Sequence, residues 1–162
     1  MTVPLSDNCR WNAVIGADTA LTNKQAGRIL AYWNDLRGDR MAPPRSEVDP
    51  LDLFDFLPHL AMIKTADRGG DFQFSLIGTG LSKIYGLVTR QMVSQVDCWE
   101  PTREALEEGL RLCAAAKAPV HGEWGRMKTL KNVDVDIEVV LLPISEDGAE
   151  VSRILGFHIM EI

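Results

Sequence analysis

The chain has 162 residues, of which 46% are hydrophobic and 25% charged, a balance that suits one globular domain and excludes wholesale disorder. Seventeen Lys and Arg against 23 Asp and Glu give a formal charge of −6. Without a basic run, a nucleic-acid face is not expected. No apolar stretch reaches the roughly 20 residues that cross a bilayer, and Asp7, Asn8, Arg10 and Asp18 interrupt the apolar block of a signal peptide; a soluble cytoplasmic protein with no membrane partner is the expectation.

Residues 1–21 show no sustained period and read as an arm ahead of a single domain over 22–162. Thr22-Asn23-Lys24-Gln25 reads as a capping box. Ala26, Ile29, Leu30, Trp33 and Leu36 then fall on one helical face, and Arg37-Gly38 supplies a cation and a cap, predicting a helix over 23–37. Pro43-Pro44 marks an extended connector. Asp49-Pro50 looks like an N-cap followed by proline at the first helical position, opening a short helix with Leu51, Leu53 and Phe54 that stops before Pro58.

Two strands follow, His59–Ala66 and Phe72–Thr79, around the hairpin signal Asp67-Arg68-Gly69-Gly70-Asp71. Gly78 and Gly80 break the second strand, and Leu81–Tyr85 suits a turn or two of helix. A better helix, Thr102–Lys117, must end near Ala118 because Pro119 follows. Three strands complete the chain: Val120–Lys128, Val133–Leu142 and Ile154–Ile162. In the second of these, Val133, Val135, Ile137, Val139 and Leu141 alternate with Asp134, Asp136 and Glu138, so its acidic side should meet solvent or the arm and its apolar side the helices. Asp147-Gly148 marks the turn before the last strand.

Hairpins exclude parallel neighbours. The order predicts an α+β domain with a five-stranded antiparallel sheet, helices on one face and an N-terminal helix. Phe72–Thr79 and Val120–Lys128 should form the two edges, with Ile154–Ile162 in the middle.

This order resembles the PAS fold. The local words Tyr32-Trp33, Leu36-Arg37-Gly38, Pro43-Pro44-Arg45-Ser46, Asp49-Pro50, Leu57-Pro58-His59-Leu60, Phe72-Gln73-Phe74, Ile77-Gly78-Thr79-Gly80 and Tyr85-Gly86 resemble a branch of short, mostly stand-alone bacterial PAS-like proteins. The resemblance implies a domain that senses a small molecule or a partner, and not an enzyme. It carries no assigned binding residue; Arg45 and Asp49 are expected to tie the connector down.

Tyr85, Trp99, Trp124 and Phe157 come from elements that a PAS arrangement would bring towards one side of the sheet, as in a mostly apolar ligand pocket, although aromatics also fill ordinary cores. His121 or Glu123 could add a polar handle. The parity of that strand is open: Val120, Gly122, Trp124 and Arg126 form one face, His121, Glu123, Gly125 and Met127 the other. The ligand-binding set is therefore Tyr85, Trp99, Trp124, His121 and Phe157.

No cofactor is expected. Flavin-binding PAS domains carry an Asn-Cys-Arg word on a helix facing the flavin, whereas Asn8-Cys9-Arg10 lies in the arm. Haem-binding ones use an axial His from the helix before the third strand, and Thr102–Lys117 has none; His59 and His121 lie elsewhere. The three His and the three Cys (Cys9, Cys98 and Cys113) lack metal or disulfide spacing. Gly78-Thr79-Gly80-Leu81-Ser82-Lys83 lacks the third glycine of a dinucleotide fingerprint, so a flexible corner is the simpler reading.

Two other classes compete. A cone-shaped isomerase or dehydratase could use Asp49, His59 or His121 as a base, but its helices would precede its strands. A pure interaction module could dimerise through the N-terminal helix, where Tyr32 widens the apolar stripe. With no output segment after Ile162, a sensor here would act through homodimerisation or a separate protein partner. The best reading is a non-catalytic PAS-like sensory or regulatory domain for a small apolar or amphipathic ligand, or for a partner.

Overall fold

A six-stranded antiparallel sheet in the order β1-β4-β5-β6-β2-β3 organises the structure, a computed structural model that describes residues 9–66 and 69–162. Its strands are β1 (Cys9–Val14), β2 (Leu60–Ala66), β3 (Asp71–Ile77), β4 (Val120–Lys128), β5 (Asp134–Ile144) and β6 (Arg153–Glu161). The α-helices are α1 (Lys24–Arg37), α2 (Ser82–Tyr85) and α3 (Glu100–Ala116). Asn8, and Asp67 and Arg68 of the hairpin signal, lie outside the described residues.

The sheet corrects the expected five strands. Part of the arm is β1, which pairs antiparallel with β4 from Cys9 opposite Trp124 to Val14 opposite Val120. The register shifts between Arg10 and Ala13, and the strand buries the polar Asn12 while Val14 is exposed, so its six residues carry no apolar face that sequence would read as a strand. Hence β4 is not an edge. β3 is an edge, and β6 lies between β5 and β2. The last two strands also shift slightly: β5 runs on to Ile144, and β6 stops at Glu161.

The helices occupy both faces of the sheet, not one. On β5, Val135, Ile137, Val139 and Leu141 point to the face covered by α3, here called inner. On the outer face Asp134 and Asp136 are exposed, but Val140, Leu142 and Ile144 are buried against α1. The acidic alternation therefore covers only the first half of the strand. Ala26, Ile29, Leu30 and Trp33 of α1 are buried there, and the Trp33 indole donates to the Pro143 carbonyl at 2.7 Å. Most of the stripe that suggested a dimer face thus belongs to the domain's own core.

Local chemistry fixes the ends. Asn23, not Thr22, caps α1: its backbone is extended, and its Oδ1 accepts from the Gln25 and Ala26 amides at 2.9 and 3.0 Å. Pro101 opens α3, and Lys117 closes it in the left-handed region (φ 55°). Asp49-Pro50 opens a turn and no helix; the Leu51 amide donates to Asp49 Oδ1 at 2.9 Å. The helical segment that follows is a 3-10 helix over Phe54–His59 with Pro58 inside it. So short a 3-10 segment needs few amide donors, so proline does not stop it. In β4 a bulge between Trp124 and Met127, with Arg126 at φ 59°, resets the parity. Val120, Trp124 and Met127 are buried on the inner side.

Candidate functional site

On the outer face, the connector folds back over β2 and the end of β3. Arg45–Glu47 forms one 3-10 turn, and Phe54–His59 the next. Between these segments and the sheet lies a groove of about 380 Å³, near the small end of ligand pockets, which span roughly 300–1,000 Å³. Leu53, Leu57, Met62, Leu76 and Leu155 give it apolar walls, and among the described residues Arg45 is the one charged side chain in its lining. Leu76 is 53% exposed at this site, while Leu51 and Phe54, in the connector above it, are 81% and 70% exposed.

The groove floor is held by close backbone contact. The Gly78 amide donates to the Leu60 carbonyl at 2.7 Å, and the Gly80 amide to the Pro58 carbonyl at 2.8 Å. A Cβ at Gly78 would collide with the Leu57 and Pro58 carbonyls, and one at Gly80 would sit 2.8 Å from the Pro58 oxygen. The glycine word is therefore a fixed seam between strand and connector, where only glycine lets the two backbones meet, and not a flexible corner.

The inner face is built differently. His158 is fully buried on β6, its Nε2 2.9 Å from the Tyr85 hydroxyl. Its ring meets Tyr85 and Trp124 edge-on, with centroids at 5.5 and 5.9 Å. The Trp124 indole donates to Asn12 Oδ1 at 3.0 Å. Asn12 in turn donates from Nδ2 to the Ala105 carbonyl (2.9 Å) and Glu108 Oε1 (3.2 Å) on α3. Gly122 makes room for this: a Cβ there would lie 2.5 Å from Asn12 Oδ1 and 2.7 Å from Trp124 Nε1.

Burial lowers the His158 pKa to about 3, partly offset by the Gly156 backbone, and raises that of the Tyr85 phenol well above its ordinary value. Both are neutral at pH 7, so the phenol can donate to Nε2, and Nδ1 then carries the ring proton. Nδ1 has no hydrogen-bond partner of good geometry among the described residues.

A family model described as a PAS domain matches residues 21–159. The chain belongs to the PAS domain family. No curated protein matches it. Among solved structures it is similar to one titled "Structure of an RNA-binding Light-Oxygen-Voltage Receptor", with a TM-score of 0.47 and 15% identity over 72% of this chain. The match spans 36% of that receptor's length.

Of the five aromatic and histidine positions picked from sequence, this PAS domain brings Tyr85 and Trp124 together around His158. Trp99, 38% exposed, immediately precedes α3, with Lys128 Nζ 6.0 Å from its ring centre. His121 and Phe157 lie through the sheet from Tyr85. His121 Nε2 is 2.7 Å from Glu138 Oε2, and Phe157 packs edge-on to Phe56 at 5.3 Å. Alternation along β6 explains the split, because residues 157 and 158 must face opposite ways. Cys9, in β1, stands opposite Trp124 in the backbone ladder, and burial pushes the Cys98 thiol up to about 11. Among the described residues no cluster of three His, Cys, Asp or Glu is gathered for a metal, and no helix is long and apolar enough to cross a membrane.

The bases weighed for an enzyme sit in separate settings. Asp49 caps its own turn, His121 pairs with Glu138, and His59 lies edge-on to Phe157 at 6.4 Å. α3 falls between β3 and β4, unlike the helices of a cone-shaped scaffold. Sequence reasoning missed His158, Asn12 and the groove. The extended connector and the glycine word that border the groove are legible in the sequence, but nothing in their spacing says that one lies upon the other.

Proposed function

We propose that this PAS domain is a non-catalytic sensory or regulatory module that takes a small apolar or amphipathic molecule in the outer-face groove. The groove itself carries the reading: a ligand-sized space with apolar walls and a single cation, beside an inner face where Tyr85, Trp124 and His158 pack on one another. One wall belongs to the connector and the other to β2 and β3. A ligand touching both favours the arrangement in which they are close, and this difference in affinity is what converts binding into a changed surface. The connector leads back to α1, so the change would be displayed on the outer face.

The test is binding of the neutral fluorophore N-phenyl-1-naphthylamine, alongside native mass spectrometry of the freshly purified chain. Saturable binding that Leu76→Glu abolishes, in a variant that still folds, is the expected outcome. Binding unaffected by Leu76→Glu but lost in Trp124→Phe would move the site to the inner face.

A further inference from the structure

Resting on the groove as the ligand site, a further inference concerns what kind of molecule enters it. Arg45 lines the groove and is only partly exposed. Among the described residues its guanidinium makes one hydrogen bond, from Nη1 to the Val48 carbonyl at 3.3 Å, although such a group offers five donors. The neighbouring acids are engaged elsewhere. Arg40 holds both oxygens of Glu47 at 2.7 and 2.9 Å. Asp49 Oδ1 accepts from the Leu51 amide. Glu146 Oε2 accepts from the Arg45 backbone amide at 2.9 Å and makes no ion pair with the guanidinium. Among the described residues, a partly buried cation thus faces apolar walls with most of its donors free and no carboxylate of its own.

We infer that the groove binds a free amphipathic monoanion, with its acid group on the Arg45 guanidinium and its hydrocarbon along Leu53, Leu57, Met62 and Leu76. A planar fork suits a carboxylate, which it can grip with two parallel hydrogen bonds. One cation, in a chain of net charge −6, suits a single negative charge better than a phosphate dianion. The volume suits a short chain: decanoate is the appropriate probe, and a long diacyl lipid would not fit.

The experiment measures displacement of N-phenyl-1-naphthylamine by decanoate, decanol and decyltrimethylammonium, on the wild type, Arg45→Gln and Leu76→Glu. Decanoate should compete about tenfold better than decanol, the size of a partly buried charge-assisted contact, and the cation worst. Arg45→Gln should erase the preference for decanoate while the fluorophore still binds.

Equal competition by decanoate and decanol would overturn the anion assignment and leave the groove standing. Failure of every probe, fluorophore included, would remove the groove reading and this inference with it. Concentration-dependent dimers dissolved by Leu76→Glu, with no probe bound, would assign the groove to a second copy. Co-sedimentation with phosphatidylglycerol vesicles that Arg45→Gln abolishes, without decanoate binding, would assign it to a membrane surface. Either result would overturn the proposal.

Discussion

The two faces of one sheet solve opposite problems. On the inner face β1, β4, β6 and α3 converge on Trp124, Tyr85, His158 and Asn12, and among the side-chain polar atoms of these four only His158 Nδ1 lacks a partner in hydrogen-bond geometry among the described residues. On the outer face the half nearest α1 is equally well packed, but the half under the connector is left open, with Leu76 half exposed and Arg45 unpaired by any acid among the described residues. Burial in one place specifies the fold; its incompleteness in the other supplies the candidate site.

The sharpest way to break this contrast is to damage each face and measure both stability and binding. Trp124→Ala should cost about 3–5 kcal/mol in chemical denaturation, the range for removing a fully buried large aromatic, because it loses apolar burial and leaves a void. A cost below about 1 kcal/mol would mean that Trp124 is not packed as its burial and contacts indicate.

Acid offers a second approach. The folded His158 pKa of about 3 lies below the ordinary 6.5, so between those values the unfolded chain binds a proton that the folded chain does not. Stability from this group is complete above pH 6.5 and falls as pH drops, by up to about 1.4 kcal/mol per unit, until about pH 3. His158→Gln, which cannot titrate, should flatten this part of the stability profile in urea unfolding at several pH values. An unchanged slope would mean that His158 is not held neutral.

Asn12→Ala removes three hydrogen bonds that join β1, β4 and α3. A loss of about 1–3 kcal/mol is expected from leaving the Trp124 indole unpaired, with faster hydrogen exchange at the β1 amides. Exchange unchanged at β1 would show that the ladder alone holds the strand. The smallest effect belongs to the outer face: Leu76→Glu should change stability by no more than about 0.5 kcal/mol, as exposed substitutions do, while abolishing fluorophore binding. A large stability loss there would erase the distinction between the faces.

The legible part of this molecule was what repeats along the chain. The β2–β3 and β5–β6 hairpins, the α3 helix and the ladder Val135, Ile137, Val139 and Leu141 all show as period or as turn chemistry. What sequence could not show was contact across the chain. β1 buries the polar Asn12 instead of an apolar face, and its docking depends on Gly122, more than a hundred residues later. Phe157 and His158 are adjacent apolar-strand positions whose faces only the neighbouring strands decide. The groove needs Gly78 to be placed against the Leu57 and Pro58 carbonyls, a fact of packing with no local signature.

The pairing of β1 with β4 also bears on how the chain behaves in bulk. β4 is nine residues long, and β1 covers the side that β5 does not. A version starting at residue 21 would keep nearly all of the matched family region, yet it would present that side as a bare ladder of amides and carbonyls, a template for strands of other copies. β1 thus shields β4 from strands of other copies, and solubility in storage should fall when it is trimmed, together with the stability that the Asn12 hydrogen bonds supply.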